Sequence, residues 1–433
     1  MSILIKNVEV ISPESSAGNG TSVLSEENTN IHIVGDRIVA IGKDDYPEAD
    51  TIIDGTNLVA LPGLVNAHTH AFMTLFRGMG DDLPLDEWLN NRIWPAEAKL
   101  TAEDVYWGVK LSLVEMIKSG TTAFADMYFF MEEAVKAVEE AGIRASLSIG
   151  MTPFDKDYEE ILKESKDFVS RWNGAASGRI LTMYGPHAPY TCPPEFLKAV
   201  ALEAERDGVG IHIHLAETSK EVEDMKEKYG RTPVELAAEA GLFNVHTLAA
   251  HCVHLTQQDI KLLAEGGVFV AHNPQSNLKL GSGVAPVPQM LAEGIPVALG
   301  TDGAASNNNL DLLEEMRTAA LLHKGVNMNP TLMPADDALR MAILNGAQAL
   351  GFRDTGCLKV GNKADLILMD FRRAHLTPLW DTLSHIVYSS SAFDIKTMIV
   401  DGRLIMDKGE ILTLDEEEVY FEINRRFKRF EDK

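Results

Sequence analysis

The stretch that decides the fold reads Leu61-Pro62-Gly63-Leu64-Val65-Asn66-Ala67-His68-Thr69-His70. It is an apolar run that ends in two histidines separated by one residue. Side chains alternate between the two faces of a strand, so His68 and His70 point one way and Thr69 points the other. Two neighbouring imidazoles at the end of a buried strand can bind one metal ion. An isolated pair of this kind is a surface or hydrogen-bonded pair as often as it is a metal site. The residues at the other strand ends must therefore decide between the two interpretations.

The composition is that of a globular protein with one large domain and a smaller one. The chain has 433 residues, of which 45% are hydrophobic. Its formal net charge of −25 disfavours nucleic acid or an anionic membrane as the main partner. Neither a membrane-spanning run nor a secretory signal is evident, so we expect a cytoplasmic protein. Cys192, Cys252 and Cys357 are far apart, which argues against a disulfide framework or a cysteine zinc site.

Short strands are predicted at both ends of the chain. Near the N-terminus they cover residues 3–11, 29–34, 37–41 and 51–54. Near the C-terminus they cover residues 364–369, 397–400 and 403–406. Because single hairpins are marginally stable, we expect both sets to join in one small β-sandwich domain. Its two parts would be residues 1–60 and residues 356–433, the second ending in a helix.

Between these ends, apolar strands alternate with amphipathic helical segments, which is typical of parallel βα units. Eight strands are predicted, the number that closes a barrel, at residues 59–68, 121–126, 144–150, 180–184, 209–215, 247–251, 268–272 and 296–302. Helices are predicted between them at residues 102–118, 131–141, 194–206, 233–240, 257–263, 287–291 and 310–323. We therefore predict an α/β chain in which residues 61–355 form a (β/α)8 barrel, or TIM barrel. The active site of such a barrel lies at the carboxyl ends of its strands.

Candidate metal ligands and acid–base residues collect at these predicted strand ends. In chain order they are His68, His70, His187, His212, His214, Glu217, His251, His272 and Asp302. Histidines scattered through a core would not concentrate at one rim. We interpret the set as an active site.

The residue types at this rim suit one divalent ion. Imidazole nitrogen and carboxylate oxygen are zinc ligands, and a catalytic site keeps one position open for water. His68, His70, one histidine of the fifth strand and Asp302 provide such a set. We favour His214 over His212 because it lies nearer the rim, and we assign His212 to a lower layer of the barrel. Zinc is the first choice, but iron, manganese or cobalt also accept these ligands.

A hydrolytic reaction follows from this arrangement. A bound metal ion can lower the pKa of water from about 16 to about 7, which gives hydroxide at neutral pH. Glu217, just beyond His214, can carry a proton to the substrate, and Asp302 and His251 can accept one from the water. The sequence therefore predicts a metal-dependent hydrolase.

These motifs resemble those of the amidohydrolase superfamily, and the likeness covers nearly the whole chain. The chain is most similar there to the 5′-methylthioadenosine/S-adenosylhomocysteine deaminases and the related chlorohydrolases. The segments that carry this likeness are Leu83-Pro84-Leu85-Asp86-Glu87-Trp88-Leu89, Trp94-Pro95-Ala96-Glu97, Tyr184-Gly185-Pro186-His187-Ala188-Pro189-Tyr190 and His272-Asn273-Pro274-Gln275-Ser276-Asn277.

The resemblance implies a role for each residue of the site. It assigns metal binding to His68, His70, His214 and Asp302, the proton shuttle to the purine N1 to Glu217, and help to the attacking water to His251. It also implies that Glu97 holds the ribose hydroxyls and that His187 contacts the purine ring.

The reaction implied is hydrolytic deamination of an adenosine-type nucleoside to the inosine analogue and ammonia, by attack of metal-bound hydroxide at C6. The substrates considered are 5′-methylthioadenosine, S-adenosylhomocysteine, 5′-deoxyadenosine and adenosine. Two-metal members of the superfamily use a carboxylated lysine at the end of the fourth strand, and residues 183–187 contain no lysine. A single metal ion and amine release are therefore favoured.

One departure concerns the carboxylate of S-adenosylhomocysteine. Family members that bind it carry an arginine where this chain has Ile149. A carboxylate without that partner loses about 1.5–3 kcal/mol of charge-assisted hydrogen bonding. We expect better activity on uncharged nucleosides, unless Lys156 in the following loop replaces the arginine.

Two alternatives stay open at this point. One is a deaminase or chlorohydrolase of another N-heterocycle, such as guanine, a pterin or a triazine, because one fold hosts many such sites. Glu97 discriminates against it, since a free base offers no ribose diol. The other is a non-catalytic barrel scaffold, which should lack a ligand or acid–base group, and none is missing. The expected partners are the nucleoside substrate and further copies of the chain in a homo-oligomer.

Overall fold

Two sheets organise the chain in the computed structural model, which describes residues 1–14, 23–44, 46, 49–83, 85–153 and 157–430. The strands, in chain order, are β1 (Ser2–Pro13), β2 (Val23–Val34), β3 (Arg37–Gly42), β4 (Thr51–Asp54), β5 (Leu58–Pro62), β6 (Leu64–Thr69), β7 (Thr121–Tyr128), β8 (Arg144–Met151), β9 (Ile180–Pro186), β10 (Gly210–Leu215), β11 (Thr247–His251), β12 (Phe269–His272), β13 (Val297–Leu299), β14 (Leu366–Asp370), β15 (Ile395–Val400), β16 (Arg403–Asp407) and β17 (Glu410–Ile411).

Helices follow most of the central strands. The longer ones are Ala102–Lys118, Met131–Ala141, Tyr158–Trp172, Pro194–Asp207, Ser219–Tyr229, Pro233–Glu239, Gln257–Glu265, Leu312–Val326, Ala335–Ala342, Thr382–Tyr388 and Glu416–Arg426. Shorter helical segments include Ala71–Phe76, Leu85–Trp88, Leu89–Ile93, Trp94–Glu97, Pro274–Lys279, Val287–Ala292, Ala304–Asn307 and Leu344–Ala349. Among the residues that the structure describes, no helix is both long and apolar enough to span a membrane.

The strands β6 to β13 form an eight-stranded parallel sheet in sequential order, as the alternating pattern predicts. Hydrogen bonds join β6 to the residues that directly follow β13. The Asp302 N–H donates to His68 O (3.0 Å), the Thr301 N–H donates to Asn66 Oδ1 (3.0 Å), and Asn66 Nδ2 donates to Thr301 Oγ1 (2.8 Å). The sheet therefore curls into a nearly closed barrel. The predicted (β/α)8 fold is confirmed.

The second sheet is built from both ends of the chain. Its hydrogen-bonded order is β17-β16-β15-β14-β5-β1-β2-β3, with β4 paired to β1. The strand β5 links the two ends, since it pairs in parallel with β1 and antiparallel with β14. The predicted composite β-domain is thus present. Its strands follow one hydrogen-bonded path, whereas a simple sandwich would have two separate sheets.

The apolar run that leads to His68 and His70 is divided between the two sheets. The prediction of one barrel strand over residues 59–68 is wrong, because β5 belongs to the composite sheet and β6 to the barrel. The change of sheet occurs at Gly63. A Cβ atom on Gly63 would lie 2.0 Å from Thr122 Oγ1 on the neighbouring strand, so only glycine fits there. An unbroken apolar pattern cannot reveal this change, because both strands are buried.

We predict that Gly63→Ala destabilises the protein by about 1–3 kcal/mol, since the added methyl group must push Thr122 or the strand aside. Thermal unfolding measures the effect. Gly325→Ala is the matched control, because a Cβ at Gly325, within the helix Leu312–Val326, meets nothing within 4 Å. Alanine should be neutral or slightly stabilising there. Equal melting temperatures for Gly63→Ala and the unsubstituted protein would contradict the packing argument.

Candidate active site

The carboxyl ends of the barrel strands open into a cavity of about 610 Å³. Most of the predicted site residues line it, namely His70, Glu97, His187, His214, Glu217, His251 and Asp302. His68 is fully buried beside them, with its ring 4.9 Å from that of His70 and 4.8 Å from that of His214. The structure therefore brings the predicted set to one place.

Four potential metal-ligand atoms converge at the base of the cavity. His70 Nε2 lies 3.3 Å from both His214 Nε2 and Asp302 Oδ1, and His68 Nε2 lies 3.4 Å from Asp302 Oδ1. A tetrahedral zinc ion with bonds of about 2.0–2.1 Å spaces its ligand atoms by about 3.3–3.4 Å. His68 Nε2 is also buried without a hydrogen-bond partner, which is costly unless a cation binds it. The donor set fits one divalent ion.

The three imidazoles are oriented by hydrogen bonds from their other ring nitrogen. These bonds join His68 Nδ1 to His212 Nε2 (2.8 Å), His70 Nδ1 to Met127 O (2.7 Å) and His214 Nδ1 to His187 O (2.8 Å). A carbonyl oxygen only accepts, so Nδ1 of His70 and His214 must carry the proton. Their Nε2 lone pairs are then free for a metal ion, as in other metal-binding histidines.

His212 has a role that the sequence analysis did not assign. It is fully buried, as predicted for a lower barrel layer, and its Nε2 shares the hydrogen bond with Nδ1 of His68 that orients the His68 ring. The sequence contained a signal for this role. His212 and His214 are separated by one residue, so their side chains point to the same face of β10. His212 is therefore a positioning residue for a candidate ligand.

The carboxylate of Asp302 is held on its other side by two serines. Ser276 Oγ and Ser306 Oγ donate to Oδ2 at 2.7 and 2.8 Å, which leaves Oδ1 directed at the imidazoles. Burial by itself would raise the pKa of Asp302, but the contacts with His68 and His70 hold it well below its usual range. This carboxyl is therefore an anion.

Glu217 and His251, the predicted acid–base residues, lie next to each other at the edge of the donor set. His251 Nε2 lies 3.8 Å from Glu217 Oε2, and Ser282 Oγ donates to the other carboxylate oxygen at 3.3 Å. Burial raises the pKa of Glu217. Burial would lower the pKa of His251, but the neighbouring carboxylates of Glu217 and Asp302 raise it. Each group can thus hold a proton at a higher pH than it would in water.

Left-handed backbone conformations occur where the site residues leave their strands. The φ angles are 51° at Ala216, 74° at His251 and 61° at Asp302. Non-glycine residues in this region are strained and concentrate at functional sites. The Glu221 carboxylate accepts the N–H groups of Ala216 (3.1 Å) and Glu217 (2.8 Å) and so stabilises the turn that directs Glu217 into the cavity.

Glu97 and His187 lie on the cavity wall. The Tyr128 hydroxyl donates to Glu97 Oε1, and burial raises the pKa of this carboxyl. Burial also lowers the pKa of His187 to about 3, so the ring is neutral, and its Nδ1 lies 3.0 Å from Thr191 Oγ1. Both side chains can therefore form hydrogen bonds with a bound molecule.

The position of Ile149 differs from the expectation. Ile149 pairs with Tyr128 across β7 and β8 and packs against the apolar core, whereas the nearby Gly150 and Thr152 line the cavity. Lys156 lies outside the described residues. Among the described residues that line the cavity none is lysine or arginine, and much of the wall is apolar, with Met73, Trp88, Leu89, Ile93, Trp94, Phe129 and Leu280.

Comparison with known proteins agrees with this geometry. The amidohydrolase family model matches residues 59–405. The chain belongs to the amidohydrolase family. This confirms the resemblance drawn from the motifs. The amidohydrolase is also similar in sequence to proteins named as nucleoside deaminases.

Three of these similarities cover most of both chains. A 5-methylthioadenosine/S-adenosylhomocysteine deaminase of Dictyoglomus thermophilum is 57% identical over 381 residues, which is 88% of this amidohydrolase and 89% of the relative. A 5'-deoxyadenosine deaminase of Methanosarcina acetivorans is 54% identical over 422 residues, or 96% and 95% of the two chains. The zinc-bound crystal structure of an adenosine deaminase from Xanthomonas campestris superposes with a TM-score of 0.93 at 33% identity, covering 99% and 98%.

We predict that His212→Phe weakens divalent metal binding by about 10- to 100-fold, because His68 then loses the partner that fixes its orientation. Competition with a chromogenic chelator, using zinc-loaded protein, measures the affinity. His246→Phe is the control, since the Nε2 of this histidine bonds Ala349 O (2.7 Å) at the start of β11, away from the cavity. Unchanged zinc affinity in His212→Phe would show that the His68 contact has no such role.

Proposed function

We propose that this amidohydrolase is a metal-dependent hydrolytic deaminase that converts an adenosine-type nucleoside to the inosine analogue and ammonia. The observation that carries the proposal is the convergence, at the base of one cavity, of the Nε2 atoms of three histidines and one Asp302 oxygen, with the acid Glu217 beside them. The relatives named as deaminases of 5-methylthioadenosine, S-adenosylhomocysteine and 5'-deoxyadenosine support the substrate class.

In this proposal His68, His70, His214 and Asp302 hold one divalent ion. Zinc is favoured over iron and manganese, because the ligand spacing fits a tetrahedral ion and the Xanthomonas neighbour contains zinc. The bound ion supplies Lewis acidity and lowers the pKa of water to about 7.

The protons are moved by side chains of the chain itself. Water adds to C6, and one of its protons passes to His251 or Asp302. Glu217, whose pKa burial raises, donates its proton to the purine N1 and neutralises the charge that develops on the ring. The amino group then takes up the proton held by His251 or Asp302, and the C6–N bond breaks with its electron pair leaving on nitrogen. The C6 hydroxyl gives its remaining proton to the Glu217 carboxylate, so that ammonia and the C6 carbonyl result and Glu217 is protonated again.

The remaining contacts orient the nucleoside. His187 is neutral, and its ring lies 4.8 Å from that of His214, a proposed metal ligand. In this proposal His187 contacts the purine ring. Glu97 is assigned the ribose hydroxyls, because a half-buried carboxylate accepts hydrogen bonds from a diol. A free base such as guanine offers no diol, so this contact favours a nucleoside over the base.

We predict that Glu217→Gln lowers ammonia release from adenosine and 5′-methylthioadenosine by about 10²- to 10⁴-fold or more, because glutamine cannot give up a proton. Metal content, measured on the same preparation, should stay unchanged. Glu223→Gln is the control, since Glu223 is exposed on the same helix that follows Glu217. Guanine and a triazine belong in the same assay, and their faster turnover by the unsubstituted protein would favour the free-heterocycle alternative. A Glu217→Gln variant with full activity would refute the shuttle.

We also predict a preference for uncharged 5′ substituents. The cavity wall described here offers no cation to a carboxylate, so kcat/KM for 5′-methylthioadenosine or 5′-deoxyadenosine should exceed that for S-adenosylhomocysteine by about 10- to 150-fold. The uncharged 5′-butylthio analogue controls for the length of the substituent. Lys156→Ala tests whether Lys156 contributes. Equal kcat/KM for charged and uncharged substrates, unaffected by Lys156→Ala, would refute the preference.

A further inference from the structure

The Tyr128 side chain has a fixed position at the carboxyl end of β7. Only 4% of the residue is exposed. Its ring stacks on Phe72 at a centroid distance of 5.1 Å and an angle of 24°, and it lies 6.3 Å from the His70 ring. This packing holds the hydroxyl close to a proposed metal ligand.

That hydroxyl is bonded to Glu97, on a different element of the cavity wall. Tyr128 Oη donates to Glu97 Oε1 at the end of the short helix Trp94–Glu97. Burial raises the pKa of Glu97, and the Tyr128 hydrogen bond lowers it, so this bond favours the ionised form. Burial and Glu97 both raise the pKa of Tyr128 well above its usual range, so the phenol remains a donor.

The second carboxylate oxygen of Glu97 is available to a ligand. Within the described part of the chain, Oε2 has no hydrogen-bond or ion-pair partner, and Glu97 lines the same cavity as Glu217 and His70. A glutamate has several rotatable bonds and reaches many positions when unrestrained. Tyr128 restricts that freedom by holding one oxygen, and the other can then accept a hydrogen bond from a molecule in the cavity.

We propose that Tyr128 is the residue that sets sugar specificity: by holding Glu97 Oε1, it positions Glu97 to recognise the ribose hydroxyls and to reject nucleosides that lack them. The inference rests on the proposed deaminase function. Tyr128 acts through Glu97 and is therefore a positioning residue. A site built to pair with a hydroxyl discriminates strongly against an analogue without it, because the buried acceptor is then left unpaired.

The test is Tyr128→Phe, which removes the hydroxyl and keeps the stacked ring. Ammonia release is measured with adenosine and with 2′,3′-dideoxyadenosine, which carries the same reacting base. We expect KM for adenosine to rise about tenfold with little change in kcat, as for loss of one hydrogen bond to a charged group. The ratio of kcat/KM for adenosine to that for dideoxyadenosine should fall by the same factor, because the dideoxy substrate never used Glu97.

Tyr184→Phe is the matched control. Tyr184 is a fully buried tyrosine on β9, two strands from β7 in the barrel, and its hydroxyl donates to Asp207 Oδ2 at 2.7 Å. This variant loses the same kind of bond outside the cavity and should keep the sugar ratio. Glu97→Ala should abolish the preference for adenosine over dideoxyadenosine. Adding Tyr128→Phe to Glu97→Ala should cause no further change in the sugar ratio. Tyr128→Trp, which also lacks the hydroxyl and keeps an aromatic ring, replaces Tyr128→Phe if that variant does not fold, and the same fall in the sugar ratio is expected.

Two results would overturn the inference while leaving the proposed function intact. One is an unchanged sugar ratio in Tyr128→Phe when the unsubstituted protein deaminates adenosine. The other is an equal loss of the ratio in Tyr184→Phe, which would show a general effect of packing. Failure of the proposed function is distinguishable, because the unsubstituted protein would then release no ammonia from either nucleoside.

Discussion

A backbone hydrogen bond between the first and last barrel strands is the constraint on which the site depends. The Asp302 N–H donates to His68 O at 3.0 Å, although the two residues are 234 positions apart in the chain. This bond brings the Asp302 carboxylate to the Nε2 atoms of His68 and His70. The rim of a closed barrel is the place where side chains from distant strands can meet around one ion. The hydrogen bond that closes the barrel therefore also brings the proposed metal ligands together.

The composite sheet is tied to the barrel by a buried ionic cluster. Arg144, at the start of β8, bonds Asp365 Oδ1 (3.0 Å) and Asp401 Oδ1 (2.8 Å), and Lys363 Nζ bonds the same Asp401 oxygen at 2.9 Å. Buried charges are tolerated only when they are paired and hydrogen-bonded, as they are here. These contacts lie at the opposite end of β8 from the cavity, so they join the sheets without occupying the rim where the chemistry is proposed.

Much of this arrangement could be predicted from the sequence where the pattern and the local chemistry agreed. The helix Ala102–Lys118 has the predicted bounds, because an apolar stripe follows a capping box formed by Thr101 and Asp104. The helix Ser219–Tyr229 was missed, since among its mostly charged residues the buried apolar ones are Val222 and Met225. The bond from His68 to His212 was also missed, because spacing shows which face a residue occupies but not which atom it contacts.

The pairing of β5 with β14 has a consequence for synthesis of the protein. Residues Leu58–Pro62 can pair with Leu366–Asp370 only after the latter have been synthesised. The composite sheet is therefore completed only after residues 366–370 have left the ribosome. During that interval β5 presents an unpaired edge, and such edges are prone to aggregate. The architecture that surrounds the barrel with both termini thus makes the newly made chain depend on late, long-range pairing, and it gives chaperones a period in which to act.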